Sequence, residues 1–104
     1  MTRHLVTAAD DSRTVELTVG DVAVIELAEN PTTGFRWSVE FDTPLALLTS
    51  DWTASSIAVG ASGTRRFSFN ATAAGTASVR AALRRSWQAE SDATQRHSFA
   101  FSIR

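Results

Sequence analysis

The sequence contains no cysteine and no lysine, and it has only two prolines among its 104 residues. The absence of cysteine excludes disulfide bonds, a thiolate nucleophile and cysteine-based metal sites together. The fold must therefore be held together by an apolar core. A chain of this length has room for one such core, so we expect a single domain over residues 1–104.

Long apolar runs are also missing. No window approaches the roughly 18 consecutive apolar residues that a membrane-spanning helix needs. Residues 1–7 contain no apolar run of signal-peptide length. We therefore expect a cytoplasmic protein for the chain as it is written, and a periplasmic or secreted protein if a precursor is longer.

Neither sign of charge is in large excess. All ten basic residues are arginine, and eleven acidic residues leave a formal net charge of −1. Such a chain has no overall field that would attract nucleic acid or a membrane surface, so we expect neither as a partner. Nothing in the sequence demands an oligomer, and we expect a monomer.

Alternation of apolar and polar residues is the strongest pattern that the sequence does contain. A period of two is typical of a strand with one buried and one solvated face. The apolar positions of these segments are Val15, Leu17 and Val19; Phe35, Trp37, Val39 and Phe41; Phe67, Phe69 and Ala71; Ala77, Val79, Ala81 and Leu83; and His97, Phe99, Phe101 and Ile103. Residues 22–27 form a near-continuous apolar strand, and residues 45–57 predict one or two short strands.

Short strands separated by Gly, Pro and Asp turns predict an all-β fold, an immunoglobulin-like β-sandwich of about seven to eight strands. Aromatic side chains should fill its core, and each buried ring contributes about 1.5–3 kcal/mol. The predicted core aromatic residues are Phe35, Trp37, Phe41, Phe67, Phe69, Phe99 and Phe101.

The order of the connections predicts where they lie. If consecutive strands alternate in direction, every second connection emerges at the same end of the sandwich. Residues 29–34, 59–63 and 85–95 are three such connections. They should cluster at one end, as the binding loops of a variable domain do. This prediction fails if residues 45–57 contain an unpaired reversal.

The first of these connections reads Asn30-Pro31-Thr32-Thr33-Gly34. Pro31 fixes its own φ and favours an extended Asn30, and Gly34 permits a positive φ at the exit. Thr32 and Thr33 are therefore predicted to lie on a pre-organised tip with hydroxyl groups that can donate and accept hydrogen bonds. Turn chemistry by itself favours an ordinary strand connection.

The other two connections also have distinctive composition. The run Gly60-Ala61-Ser62-Gly63-Thr64 is small enough to present its backbone to another chain, although it also suits a flexible hairpin. The run Arg85-Ser86-Trp87 opens the third connection. Trp and Arg are enriched in binding hot spots. The alternative is that Trp87 folds back onto the sandwich.

Together these segments resemble the chagasin family of cysteine peptidase inhibitors. The run from Asn30 to Phe35, followed by Trp37, resembles the family's signature loop. Residues 60–64 resemble its glycine-rich second loop, and residues 85–87 resemble its Arg-Pro-Trp third loop. Ser62 and Ser86 stand where the family often has Gly and Pro. Ser62 restricts the approach of the backbone to a partner, and Ser86 removes a φ constraint, so that the looser third loop costs more ordering entropy on binding. These two departures predict weaker affinity.

The resemblance implies an immunoglobulin-like fold and reversible, non-covalent inhibition of papain-like cysteine peptidases, with three loops that occlude the active-site cleft. By that analogy the Thr32 region enters the cleft beside the peptidase's catalytic cysteine and histidine. Residues 60–64 lie along one side, and Arg85 and Trp87 along the other. The implied peptidase-binding residues are Asn30, Pro31, Thr32, Thr33, Gly34, Phe35, Gly60, Ala61, Ser62, Gly63, Thr64, Arg85, Ser86 and Trp87.

The residues disfavour an enzyme. His4 and His97 are the only histidines, and His97 falls on the apolar side of the last predicted strand. No serine lies in a nucleophile elbow, and the acidic residues show no zinc or calcium ligand spacing. We expect no catalytic residue, no metal and no cofactor.

Other interpretations remain open. The main alternative is an immunoglobulin-like adhesion or carbohydrate-binding module that uses the same end of the sandwich without inhibitory activity. Nucleic-acid binding would need a stripe of arginines, although the negative net charge favours solvated sheet faces. The arginines that could form it are Arg65, Arg66, Arg80, Arg84 and Arg85. Residues 70–72 also match a glycosylation sequon.

Overall fold

The computed structural model describes residues 2–30, 33–54, 63–85 and 93–104. In these ranges the chain forms eight strands and one short 3-10 turn, Ala8–Asp10. The strands are β1 (Arg3–Thr7), β2 (Thr14–Leu17), β3 (Val22–Glu29), β4 (Phe35–Phe41), β5 (Leu45–Ala54), β6 (Gly63–Ala71), β7 (Gly75–Arg85) and β8 (Gln95–Ile103). Among the described residues, no helix is long and apolar enough to cross a membrane.

The strands form two four-stranded sheets. The first sheet has the order β1-β3-β6-β5 and the second has the order β2-β8-β7-β4. The pairs β1–β3 and β2–β8 are parallel, and the other pairs are antiparallel. The predicted all-β sandwich of seven to eight strands is therefore confirmed.

The core lies between the two sheets and consists of the inward positions of the alternating segments. Phe69, Phe99 and Phe101 are at most 1% exposed and are its largest fully buried side chains. At about 1.5–3 kcal/mol for each buried ring, these three side chains supply much of the stability that disulfides would otherwise provide. The other core residues are Val6, Leu17, Ala23, Ile25, Leu27, Trp37, Leu45, Phe67, Ala71, Ala77, Val79, Ala81 and Ile103.

Two of the predicted core aromatic residues lie at the ends of an edge strand. Phe41, the last residue of β4, is 38% exposed, so its prediction as a core residue is wrong. Its ring still meets Phe69 edge-on, with 5.1 Å between ring centroids. Phe35, the first residue of β4, is half-buried. Because β4 stands at the edge of its sheet beside β7, its ends have a neighbouring strand on one side alone in the described part of the chain.

Other strand boundaries also differ from the sequence-based expectation. The alternation predicts no strand over residues 3–7, where β1 lies beside β3. The segment that begins at Leu45 is one strand of ten residues, with a bulge between Leu47 and Thr49. Asn70 of the sequon lies inside β6, between Val22 of β3 and Ala46 of β5. A residue in that central position is poorly placed for glycosylation.

Asp21 ties the start of β3 to its surroundings at the end of the sandwich opposite Glu29. Its carboxylate accepts hydrogen bonds from the backbone N–H groups of Thr18 (2.9 Å) and Thr2 (3.0 Å), and His4 Nε2 lies 2.9 Å away. The Thr18 N–H, together with His4 and the Thr2 N–H, lowers the pKa of Asp21 to about 2. Arg80 and Ser78 likewise lower the pKa of Asp42 to about 2.

The lowered pKa values of Asp21 and Asp42 predict that the folded protein loses stability in acid. An unfolded Asp titrates near pH 3.9, so a folded pKa of about 2 stabilises the protein above that pH, and the stabilisation is lost as the pH falls from about 4 to about 2. Asp21→Asn should lower the melting temperature at pH 7 and reduce its pH dependence between pH 4 and 2. Circular dichroism melts across this range test it. Because Asp42 has the same lowered pKa, part of the decrease in melting temperature between pH 4 and 2 should remain in this variant. A decrease as steep as that of the parent protein would contradict the role of Asp21.

Candidate functional site

The strand ends that flank three connections lie at one end of the sandwich, which we call the loop pole. The first connection spans residues 30–34, the second residues 55–62 and the third residues 86–94. In the first sheet, Gly63 pairs with both Glu29 and Ala54. In the second sheet, Phe35 pairs with Arg85, and Leu83 pairs with Gln95. Because β5 runs unbroken to Ala54, the strands keep the alternation of direction on which the sequence argument depended.

Several predicted site residues belong to the connections themselves. Seven of them lie outside the described residues: Pro31, Thr32, Gly60, Ala61, Ser62, Ser86 and Trp87. Gly63 and Thr64, predicted as part of the second loop, belong instead to strand β6. The structure therefore fixes the base of the loop pole and the strands from which its connections emerge.

Glu29 is a buried charged residue at this base. Its side chain is 0% exposed, and it follows the apolar inward residues of β3 as the last residue of that strand. Carboxylate oxygen Oε1 accepts a hydrogen bond from the backbone N–H of Trp37 (2.7 Å). Oxygen Oε2 accepts two from Arg65, from Nε at 3.1 Å and Nη2 at 2.8 Å. Each carboxylate oxygen is thus satisfied, as a buried charge requires.

Two indole groups extend this network through backbone carbonyls. Trp37 Nε1 donates to the carbonyl of Ala28 (2.8 Å), and Trp52 Nε1 donates to the carbonyl of Glu29 (3.0 Å). Trp37 belongs to the second sheet and Trp52 to the first. The last two residues of β3 are therefore bonded to both sheets immediately before the first connection begins.

Gly63 has a packing role that explains why this position lacks a side chain. A Cβ atom built there would lie 2.3 Å from the carbonyl oxygen of Thr53 and 2.6 Å from the Trp52 ring. Separations this short are not tolerated in proteins, so only glycine lets the Trp52 indole lie against the first residue of β6. Gly63 thus helps to place the Trp52 indole, whose N–H reaches Glu29.

The described part of the first connection is a closed turn. The backbone N–H of Thr33 donates to the carbonyl of Asn30 (3.2 Å), and the Thr33 hydroxyl donates to the same carbonyl (2.8 Å). That hydroxyl also accepts from the backbone N–H of Phe35 (3.3 Å). Gly34 has φ +82°, which confirms the positive φ predicted at the exit. The side chain of Thr33 is therefore used to hold the turn.

The third connection is joined to the first at its start. Arg85 places its guanidinium 4.7 Å from the centre of the Phe35 ring, which is a cation–π arrangement. Phe35 and Arg85 are also direct partners across β4 and β7. The strand ends of all three connections are thus linked by described contacts, through Glu29 and through Phe35.

The arginines considered for a nucleic-acid-binding stripe lie on different faces of the described structure. Arg65 points inward to Glu29, and Arg66 pairs with Glu26 on the outer face of the first sheet. Arg80 lies in the second sheet, where it bonds Asp42 (3.1 Å). Among the described residues there is also no group of three His or acidic side chains that could hold a metal ion.

Glu29, Trp52 and Arg65 are the parts of the site that sequence reasoning missed. A signal was present, because Arg65 is in phase with the buried Phe67 and Phe69, and Glu29 is in phase with Ile25 and Leu27. The phase predicts that both charges face the core, where each needs a partner, but it does not say which strands become neighbours. His97, by contrast, is structural as expected: its Nδ1 lies 3.0 Å from Asp11, and its ring packs against Trp37.

Comparison with known proteins gives the family. The profile of the Chagasin family of peptidase inhibitors matches residues 16–103. Chagasin of Trypanosoma cruzi is 35% identical over 100 residues, which cover 89% of this chain and 91% of chagasin. The chain therefore belongs to the chagasin family of cysteine peptidase inhibitors, as the three loop motifs predicted. Membership of an inhibitor family also agrees with the expectation that the chain is not an enzyme.

Solved structures show the same fold. A cysteine protease inhibitor from Entamoeba histolytica superposes with a TM-score of 0.88 at 23% identity, covering 100% of this chain and 97% of that one. PbICP-C, solved in complex with falcipain-2, has a TM-score of 0.55 at 15% identity and covers 98% of this chain and 89% of that one. The immunoglobulin-like sandwich is thus shared with inhibitors of distant sequence.

Gly63→Ala tests the packing at the loop pole. The added methyl group must displace the Trp52 ring or the Thr53 backbone, so we expect a loss of about 1–3 kcal/mol in unfolding free energy, as overpacked sites show. At about 4–8 °C per kcal/mol, thermal melts will detect it. Thr53→Ala, at an exposed neighbouring position, should change the melting temperature little. A Gly63→Ala protein as stable as the parent would refute the close approach of Trp52.

Proposed function

We propose that this protein is a reversible, non-covalent inhibitor of papain-like cysteine peptidases, and that it inserts its loop pole into the active-site cleft. Family membership supports the inhibitory activity. The one structural observation that carries the proposal is that the three motif-bearing connections start from strand ends at a single pole, where Glu29 and Phe35 link those strands.

The loop pole is built so that it loses little conformational entropy when it binds. The strand ends around the first connection are fixed by hydrogen bonds from Trp37 to Glu29 and Ala28. These strand ends therefore need no further ordering when the protein binds, and pre-organisation of this kind improves affinity. A standard interface of about 1,600 Å² would suffice for a tight one-to-one complex if Trp87 is desolvated on binding.

The closed turn at Thr33 offers a reason why an inhibitor of this design resists cleavage. Peptidases of this class act on chains held extended in the cleft. In the first connection, Asn30 and Thr33 are bonded to each other through both backbone and side chain. Asn30 and Thr33, which flank the tip, are therefore bonded to each other, whereas cleavage needs an extended chain.

Thr32→Ala and Trp87→Ala test the placement of the site. Titration against papain and a cathepsin L-type enzyme, with a fluorogenic peptide substrate, should give reversible inhibition by the parent protein. Each variant should raise the inhibition constant at least about tenfold, about 1.4 kcal/mol, because binding energy concentrates in a few contacts. Melting temperatures should stay nearly unchanged.

Thr76→Ala provides the matched control, since Thr76 is exposed at the opposite end of β7. It should inhibit as the parent does. If Thr32→Ala and Trp87→Ala unfold the protein instead, these residues are part of the core and the assigned site is wrong. Absence of inhibition by the folded parent would favour a binding module without inhibitory activity.

Thr33→Val tests the role of the closed turn. Valine keeps the branched shape but cannot bond to Asn30 or Phe35. A net hydrogen bond contributes about 0.5–1.5 kcal/mol, so the inhibition constant should rise about threefold to tenfold. Mass spectrometry of the mixture should also show slow cleavage of the variant by papain. Thr33→Ser keeps the hydroxyl group and should behave as the parent; equal behaviour of Thr33→Val and the parent would contradict the proposed role.

A further inference from the structure

We infer that Glu29 and Arg65 are positioning residues for inhibition: their buried ion pair fixes the first and second connections relative to each other. The inference rests on the proposed function, because it concerns how the same loop pole is held for docking. Both side chains lie beneath the pole, with exposures of 0% for Glu29 and 17% for Arg65.

Glu29 holds both ends of the first connection. It is the last residue of β3, so its own backbone is the point from which this connection leaves. Its carboxylate reaches Trp37, three residues into the returning segment that begins after Gly34, through the 2.7 Å bond to the backbone N–H. A shift of this carboxylate therefore moves the exit and the return of the first connection together.

The same residue holds both ends of the second connection. Arg65 lies two positions after Gly63, where β6 begins, and it binds Glu29 Oε2 through two nitrogens. Trp52 lies two positions before Ala54, where β5 ends, and its indole N–H binds the Glu29 carbonyl. Four strand ends thus converge on one residue, and the ion pair is a side-chain link between β3 and β6.

Stability alone does not require an ion pair at this position. Replacing a buried pair by uncharged groups of similar volume is often neutral or stabilising, whereas removing one partner leaves an uncompensated charge and is strongly destabilising. What uncharged groups do not supply is the fixed geometry of two guanidinium nitrogens on one carboxylate oxygen, Glu29 Oε2. The two roles can therefore be separated, because stability should recover in a neutral double variant and positioning should not.

The test compares Arg65→Met with the double variant Glu29→Gln and Arg65→Met. The single variant leaves the Glu29 charge buried and unpaired, so its melting temperature should fall sharply. In the double variant, the side-chain amide oxygen at position 29 can still accept from Trp37 and no buried charge remains, so most of the melting temperature should return. Inhibition of papain should stay weakened by at least about tenfold, through faster dissociation, because the backbone pairing of β3 with β6 remains but the side-chain link that fixes their ends is missing.

The neighbouring ion pair supplies a matched control. Glu26 and Arg66 lie on the same two strands but on the outer face, where the Arg66 side chain is 45% exposed. The double variant Glu26→Gln and Arg66→Met should keep the parent's melting temperature and dissociation rate. Arg65→Lys gives a second variant of Arg65 that retains the charge without the fork, and it should fold normally and dissociate about threefold faster.

The outcomes separate the two hypotheses. If the parent inhibits and the Glu29→Gln and Arg65→Met variant dissociates at the parent's rate, the positioning role is overturned and the proposed function stands. If the double variant fails to fold, the dissociation rate of Arg65→Lys is the test. A rate like that of the parent overturns the inference, and a faster rate with a normal melting temperature supports it. If the folded parent inhibits neither papain nor a cathepsin L-type enzyme, both hypotheses fall.

Discussion

The buried ion pair between Glu29 and Arg65 is the constraint on which the loop pole depends. A carboxylate that is 0% exposed must be fully bonded, and the partners available to it belong to strands on either side of two connections. Trp37 and Trp52 then add bonds to the backbone of the same strand end. The bonds that satisfy the buried charge thus join the end of β3 to the starts of β4 and β6, and the bond from Trp52 to the Glu29 carbonyl adds the end of β5.

The rest of the fold makes that arrangement possible without disulfides. Phe69, Phe99 and Phe101 hold the two sheets together in the middle of the sandwich, and Asp21 ties down the end opposite the loop pole. The apolar core therefore supplies stability, while the polar groups at each end set the paths of the chain. A fold divided in this way can vary its connections without repacking its core.

Much of the fold could be predicted from the sequence, because alternation with a period of two is a local signal. The buried phase of β6 to β8 and the positive φ of Gly34 follow from such signals. β1 could not be predicted from alternation, because its inward residues are His4 and Val6 while the apolar Leu5 faces outward and is 62% exposed. The prediction of Phe41 as a core residue was wrong because alternation does not indicate that a strand lies at the edge of its sheet. Pairing of Glu29 with Arg65, 36 residues apart, depends on which strands become neighbours, and periodicity does not contain that information.

We propose that the loop pole enters the peptidase cleft, and hydrogen–deuterium exchange of the inhibitor, free and bound to papain, tests this placement most directly. We predict that binding slows exchange in residues 30–35, 60–64 and 85–87, and leaves the opposite end around Asp21 and Asp42 unchanged. Slowing confined to that opposite end, or to the outer face of either sheet, would contradict the account.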